Sequence, residues 1–162
     1  WGAQLGYHPE TSLGGGNYRV LVTGASRAFL DPSETEKENR LAWGFSCDQA
    51  LGDVVGAFLR FAWQTEDAAV AYKALFSGGL NFRGNGWGRE SDNIGVGYAY
   101  LPGGNLDVDH SQVFEAYYRA GLNQYLSVTA DAQYMEDDLE QADPRQDDPS
   151  GWIVGLRVTA AF

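Results

Sequence analysis

One cysteine, five prolines and two histidines among 162 residues exclude more than they suggest. Cys47 has no partner in the chain, so it forms no internal disulfide and says nothing of the redox compartment. His8 and His110 fall in expected loops without a metal-ligand partner at usable spacing, which leaves metal catalysis without footing. No Ser/His or carboxylate/His arrangement falls on a strand, so an enzyme is not expected. Positive charge is scarce: 11 Lys and Arg against 22 Asp and Glu give a net charge of −11, which argues against a nucleic-acid partner. No apolar run approaches the roughly 18 residues of a transmembrane helix. Strand spans remain open, because barrels dilute their apolar residues with polar ones. No signal peptide is visible, yet the chain opens on Trp1, so missing N-terminal strands or a partner chain are expected. What the chain does have is glycine, 21 residues, and 14% aromatics, a balance that favours strands over helices.

Its last stretch organises the rest. Trp152, Val154, Leu156, Val158, Ala160 and Phe162 alternate with Ile153, Gly155, Arg157, Thr159 and Ala161, the period of a strand with one greasy face. A closing barrel strand with an aromatic end fits lipid surroundings, whereas a soluble sandwich or lipocalin-like barrel is the bland alternative. Upstream stretches alternate in the same way. Tyr18, Val20 and Val22 oppose Arg19, Thr23 and Arg27, and Leu41, Trp43, Phe45 and Cys47 oppose Ser46 and Asp48. Leu59, Phe61 and Trp63 oppose Phe58, Arg60 and Gln64, and a strand from Val70 to Phe82 opposes Lys73, Ser77, Asn81 and Arg83. Further strands carry Ile94 to Tyr100, Phe114 to Leu122 and Leu126 to Tyr134, and Trp1–Tyr7 is a short candidate.

Strands of roughly nine to thirteen residues suit a tilted bilayer crossing. Their connections alternate between tight or glycine-rich (51–54, 84–92, 123–124) and charged (30–39, 65–69, 102–110, 136–150). Barrels place short turns on the periplasmic side and long loops outside. The expectation is therefore an all-β, transmembrane, antiparallel up-and-down β-barrel with eight or nine strands in this chain, its acidic loops extracellular. The glycine-rich stretch 84–92 matches no nucleotide fingerprint, and no helix is expected after it. Eight strands would also suit a small closed barrel with a structural or adhesion role and no pore.

Several stretches in order resemble one family. They are Gly44-Phe-Ser-Cys-Asp-Gln-Ala-Leu-Gly52, Gly56-Ala-Phe-Leu-Arg-Phe-Ala-Trp63, Gly86-Trp-Gly-Arg-Glu-Ser-Asp-Asn-Ile-Gly-Val-Gly97, Phe114-Glu-Ala-Tyr-Tyr-Arg-Ala-Gly-Leu122 and Tyr125–Tyr134. From about Asn17 onward the chain resembles the C-terminal half of the carbohydrate-selective outer-membrane porins of the OprB family. The resemblance implies a barrel of about sixteen strands, of which residues 1–162 are the C-terminal portion, and a passive pore for small saccharides. After Tyr134 an acidic insertion stands where the family carries an Asn-Pro-Gly-like turn.

The wet face decides what such a pore touches. The expected pore-lining and substrate-contact residues are Arg19, Arg60, Arg83, Glu115, Tyr117, Arg119, Asp131 and Arg157, with Arg27, Asp48, Lys73 and Gln133 on the same face. Guanidinium and carboxylate groups chelate sugar hydroxyl pairs, while rings such as Phe58 and Tyr117 accept sugar C–H faces. The competing reading is that these charges pair across strands and merely fill a polar lumen. Arg89 and Asp92 read as structural turn residues. Trp43, Trp63, Trp152 and Phe162 read as membrane girdle, with Phe162 also the C-terminal assembly signal. Expected partners are outer-membrane lipid and lipopolysaccharide, small sugars and missing strands; a homo-oligomer stays open. No cofactor is expected. The acidic loop 136–148 offers oxygens of the kind that bind Ca²⁺ loosely or bridge lipopolysaccharide, but lacks the EF-hand pattern and reads first as a solvated, repulsive loop.

Overall fold

The computed structural model describes residues 1–140 and 148–161. Its strands are β1 (Gly2–Tyr7), β2 (Glu10–Thr11), β3 (Gly14–Leu30), β4 (Lys37–Leu51), β5 (Val55–Gln64), β6 (Ala74–Arg83), β7 (Asn93–Pro102), β8 (His110–Gly121), β9 (Leu126–Asp138) and β10 (Ser150–Ala160). The two-residue β2 pairs with the start of β3. The other nine follow chain order across one antiparallel sheet from β1 to β10. The Trp1–Tyr7 candidate is thus a strand, with Leu5 opposite Val20 and Tyr7 opposite Tyr18.

The alternation seen in sequence survives as two continuous faces, because every ladder keeps its parity. On one face Val20 faces Phe45, Phe45 faces Phe61 and Phe61 faces Phe76. The same face continues through Val96–Ala116, Ala116–Ala132 and Ala132–Val154. At the loop end it carries an aromatic belt, in which Trp43 and Trp63 stack at 4.7 Å and Trp152 lies 5.3 Å from Tyr134. Tyr7 and Tyr18, 6.5 Å apart, stand toward the turn end. This face is bare: Val154, Leu156 and Val158 are 78%, 75% and 63% exposed. Among the described residues the buried apolar set is only Ala68, Val70 and Ala74. A sheet with so small a core needs an apolar medium against its greasy face.

Connections at 8–13, 52–54, 84–92 and 122–125 gather at one end, and those at 31–36, 65–73 and 103–109 at the other. That reproduces the expected alternation, with corrections. The strand expected from Val70 begins at Ala74, and Lys73 precedes it. Segment 65–73 instead folds against 103–109. Asn105 Oδ1 accepts from Val70 N (2.8 Å), and its Nδ2 donates to the Glu66 (2.5 Å) and Ala68 (2.9 Å) carbonyls. One amide side chain thereby satisfies a backbone that has no ladder partner. Arg27, expected on the wet face, sits in a bulge between Ala25 and Phe29 with φ 46°, so it leaves the alternation. Glu136, Asp137 and Asp138, assigned to the acidic loop, extend β9 opposite Gln112, Ser111 and His110. The glycine-rich connection 84–92 itself holds a one-turn 3₁₀ segment, Gly84–Trp87, and strand β7 rather than a helix follows it.

The sheet's path is open. β1 and β10 are its edges, and the small closed barrel, which needs first and last strands to pair, has no such ladder among the described residues.

Candidate functional site on the polar face

Opposite the greasy face, the register lays polar residues in rows. One row runs Arg19–Ser46–Arg60–Ser77 across β3 to β6. Another runs Arg83–Asn93–Arg119–Thr129–Arg157 across β6 to β10. Between them lie Glu115 opposite Gln133 and Tyr117 opposite Asp131. All eight residues expected at the pore therefore share one face.

Asp48 joins the first row. Its Oδ2 accepts from Arg19 Nη2 at 2.7 Å and its Oδ1 from Arg60 Nη2 at 2.6 Å. Arg60 Nη1 also donates to the Cys47 carbonyl at 2.9 Å, and its guanidinium lies 5.1 Å from the Phe58 ring centre. One carboxylate thus orients two guanidiniums; Arg19 Nε is buried and has no hydrogen-bond partner among the described residues. Sequence reasoning set Asp48 on this face but not among the solute contacts. In register Ser46, not Asp48, stands between the two arginines, and Asp48 reaches both diagonally from two residues further along β4.

Two aromatic rings lie flat where glycine leaves room. A Cβ at Gly79 would overlap the Phe58 ring and the Val96 carbonyl oxygen, and one at Gly95 would overlap the Tyr117 ring. Glycine is required here for close approach. The Tyr117 hydroxyl donates to Asn93 Oδ1 (2.8 Å) and accepts from Asn81 Nδ2 (2.8 Å), while Asn93 Nδ2 donates to Asn81 Oδ1 (2.6 Å). This triad holds the ring by its far end. Phe58, Tyr117 and Glu115 line a shallow cavity of about 170 Å³. Two apolar ring faces beside a carboxylate make a surface for a molecule with C–H and O–H faces.

Nearer the turn end a larger cavity, about 420 Å³, is lined by Arg83, Asn93, Arg119 and the 90–92 and 123–127 segments. Its rim is locked by Asp92, 3% exposed, which accepts from Arg89 Nε and Nη2, from the Tyr118 hydroxyl and from Gly121 N (3.0 Å). The Arg89 guanidinium, then the Tyr118 hydroxyl and the Gly121 amide, hold this carboxyl at about 2 against the opposing effect of burial. Asp31, in the loop after β3, is likewise held at about 2, first by the Glu36 amide and next by the Ser33 hydroxyl. Depressed carboxyls contribute stability above their unfolded value of about 4 and lose it as pH falls. Asp92→Asn should therefore flatten part of the acid-unfolding limb between about pH 4 and 2. Heat-modified gel mobility across that range checks this; an unchanged limb assigns the acid sensitivity to Asp31 and other groups.

His110, expected in a loop without a partner, instead opens β8. Its Nδ1 lies 3.0 Å from Asp109 Oδ2 and 3.6 Å from Asp138 Oδ2. The folding of Glu136–Asp138 into β9 brings the acids to it, which the flat charge run did not reveal. Phe162 and most of the acidic loop (141–147) lie outside the described residues.

A wide antiparallel sheet with one apolar and one arginine-rich face defines the class as the wall of an outer-membrane β-barrel. A family model described as carbohydrate-selective porin, OprB family, matches residues 3–162. The chain belongs to that family, whose members are outer-membrane transport proteins and not catalysts. A solved structure described as Pseudomonas putida OprB at high pH is similar, with a TM-score of 0.77 at 17% identity, covering 99% of this chain and 48% of that one. That likeness shows the fold, and the chain spans about half the length of the solved one. No curated protein matches the chain.

Proposed function

We propose that this chain is the C-terminal portion of a barrel of about sixteen strands, and that the complete barrel passes small saccharides or similar hydrophilic solutes by diffusion. The observation that carries the reading is the polar face itself: Phe58 and Tyr117 laid flat beside Arg60, Asp48 and Glu115, on a sheet whose other face is apolar from edge to edge. The open edges support the first half of the proposal. Unpaired N–H and C=O groups along β1 and β10 are costly in hydrocarbon, so further strands must pair with them. Those strands belong to the same polypeptide or to a partner chain. With Ala160 at the turn end, the acidic connections face outward, where lipopolysaccharide and its bridging cations lie, and Trp43, Trp63 and Trp152 sit at the outer lipid interface.

The test is the mass of the detergent-solubilised protein together with its conductance in planar bilayers. A mass more than twice 17.7 kDa and steady conductance reduced by glucose are expected. A protein of 17.7 kDa that conducts nothing would overturn the reading.

A further inference from the structure

We propose that the cavity between Arg83 and Arg119 is a second, anion-binding station, taking sugars that carry a carboxylate or a phosphate ester. The inference rests on the porin reading and deepens it. The two arginine rows differ in one respect that decides their chemistry. Arg19 and Arg60 share Asp48, so one of their two charges is balanced within the protein. Among the described residues no carboxylate lies within ion-pair distance of Arg83, Arg119 or Arg157.

The residues between and beside them are already occupied. Asn93, between Arg83 and Arg119 in register, is engaged by Asn81 and Tyr117. Asp92 is engaged by Arg89, Tyr118 and Gly121, so it is not free to neutralise the arginines. Glu90 also lines the cavity, exposed and outside ion-pair distance of both. Arg119 Nε donates only to Ser127 Oγ, at 3.3 Å.

Geometry suits the ligand class. Arg83 and Arg119 stand two strands apart, about 10 Å between backbones, so two long side chains can close on one anion from opposite sides. Guanidinium forks match carboxylate and phosphate oxygens two at a time. The cavity of about 420 Å³ is of monosaccharide scale. Gln124, Ser91 and Thr159 in its wall offer polar partners for the sugar hydroxyls. A neutral sugar meets the paired row and the rings, whereas a charged one also finds this station.

The complete porin in planar bilayers tests this, with glucose, glucuronate and glucose 6-phosphate as added solutes. Glucuronate and glucose 6-phosphate should reduce current at concentrations about tenfold below glucose. In R83Q/R119Q that preference should fall about tenfold, and R83K/R119K should recover part of it. Block by the phosphate ester alone would assign the station to phosphate rather than carboxylate. Equal block by all three solutes in the unaltered protein overturns the proposal, and that comparison stands even if the double variant does not assemble. A preference unchanged in R83Q/R119Q also overturns it. Absence of any conductance removes the porin reading and this proposal with it.

Discussion

Gly79→Val should lower the stability of the folded sheet by about 1–3 kcal/mol and largely abolish any current block by glucose. Gly79 lies in mid-strand, opposite Phe58 on β5 and Gly97 on β7. A Cβ there overlaps the Phe58 ring and the Val96 carbonyl oxygen. The ring has a way out, by swinging off the sheet. The carbonyl does not, because it is backbone held between ladders on both sides. The substitution therefore strains the sheet and displaces an aromatic platform at once. Gly97→Ala is the matched comparison: its Cβ would meet Phe58 Cζ at 3.4 Å, ordinary contact, and should cost less than half as much. Heat-modified gel mobility reads the first effect and glucose titration of single-channel current the second. Normal stability and normal glucose block in Gly79→Val would mean that Phe58 does not lie where solute passes.

The faces of this sheet were legible because a period of two is local. Trp152 through Ala160 declares its sides without reference to any other strand, and the ladders from β3 to β10 preserve that parity. Eight arginine, acid and tyrosine positions could thus be put on one face in advance. Their partners were not legible, since partnership depends on register between strands. Asp48 comes within reach of Arg19 and Arg60, each facing Ser46 two residues away, only once β3, β4 and β5 are aligned. The folded segment 65–73 misled for a related reason. Val70, Tyr72 and Ala74 alternate as a strand would, but the backbone bonds of the segment scatter to Asn105, Pro102, Gly104, Leu30, Leu41 and Gln64 rather than forming one ladder. His110 was misread because one of its two acids, Asp138, meets it across the β8–β9 ladder rather than along the chain, where only the adjacent Asp109 is visible.

Asp48→Asn isolates the electrostatic share of the first arginine row. The side chains of Arg19, Arg60 and Asp48 are 36%, 32% and 39% exposed, so water screens their pairing and stability should change by less than about 1 kcal/mol. Permeation should respond more. Removing one carboxylate leaves two guanidiniums uncompensated on the polar face. A unit charge roughly 5 Å from a passing ion contributes about 1 kcal/mol in near-aqueous surroundings, with opposite sign for anion and cation, so anion over cation permeability should rise by at least about tenfold in low salt. Glucose block should weaken at the same time, because the single amide oxygen of Asn cannot accept from both Arg19 and Arg60 as two carboxylate oxygens do, and the hold that aims Arg60 beside Phe58 loosens. Asp48→Glu, which restores the charge but not the reach, should recover the ion selectivity and only part of the glucose response. That split separates a charge effect from a positioning effect. A reversal potential that does not move in Asp48→Asn would place this triad away from the permeation path and reduce it to a cross-strand tie.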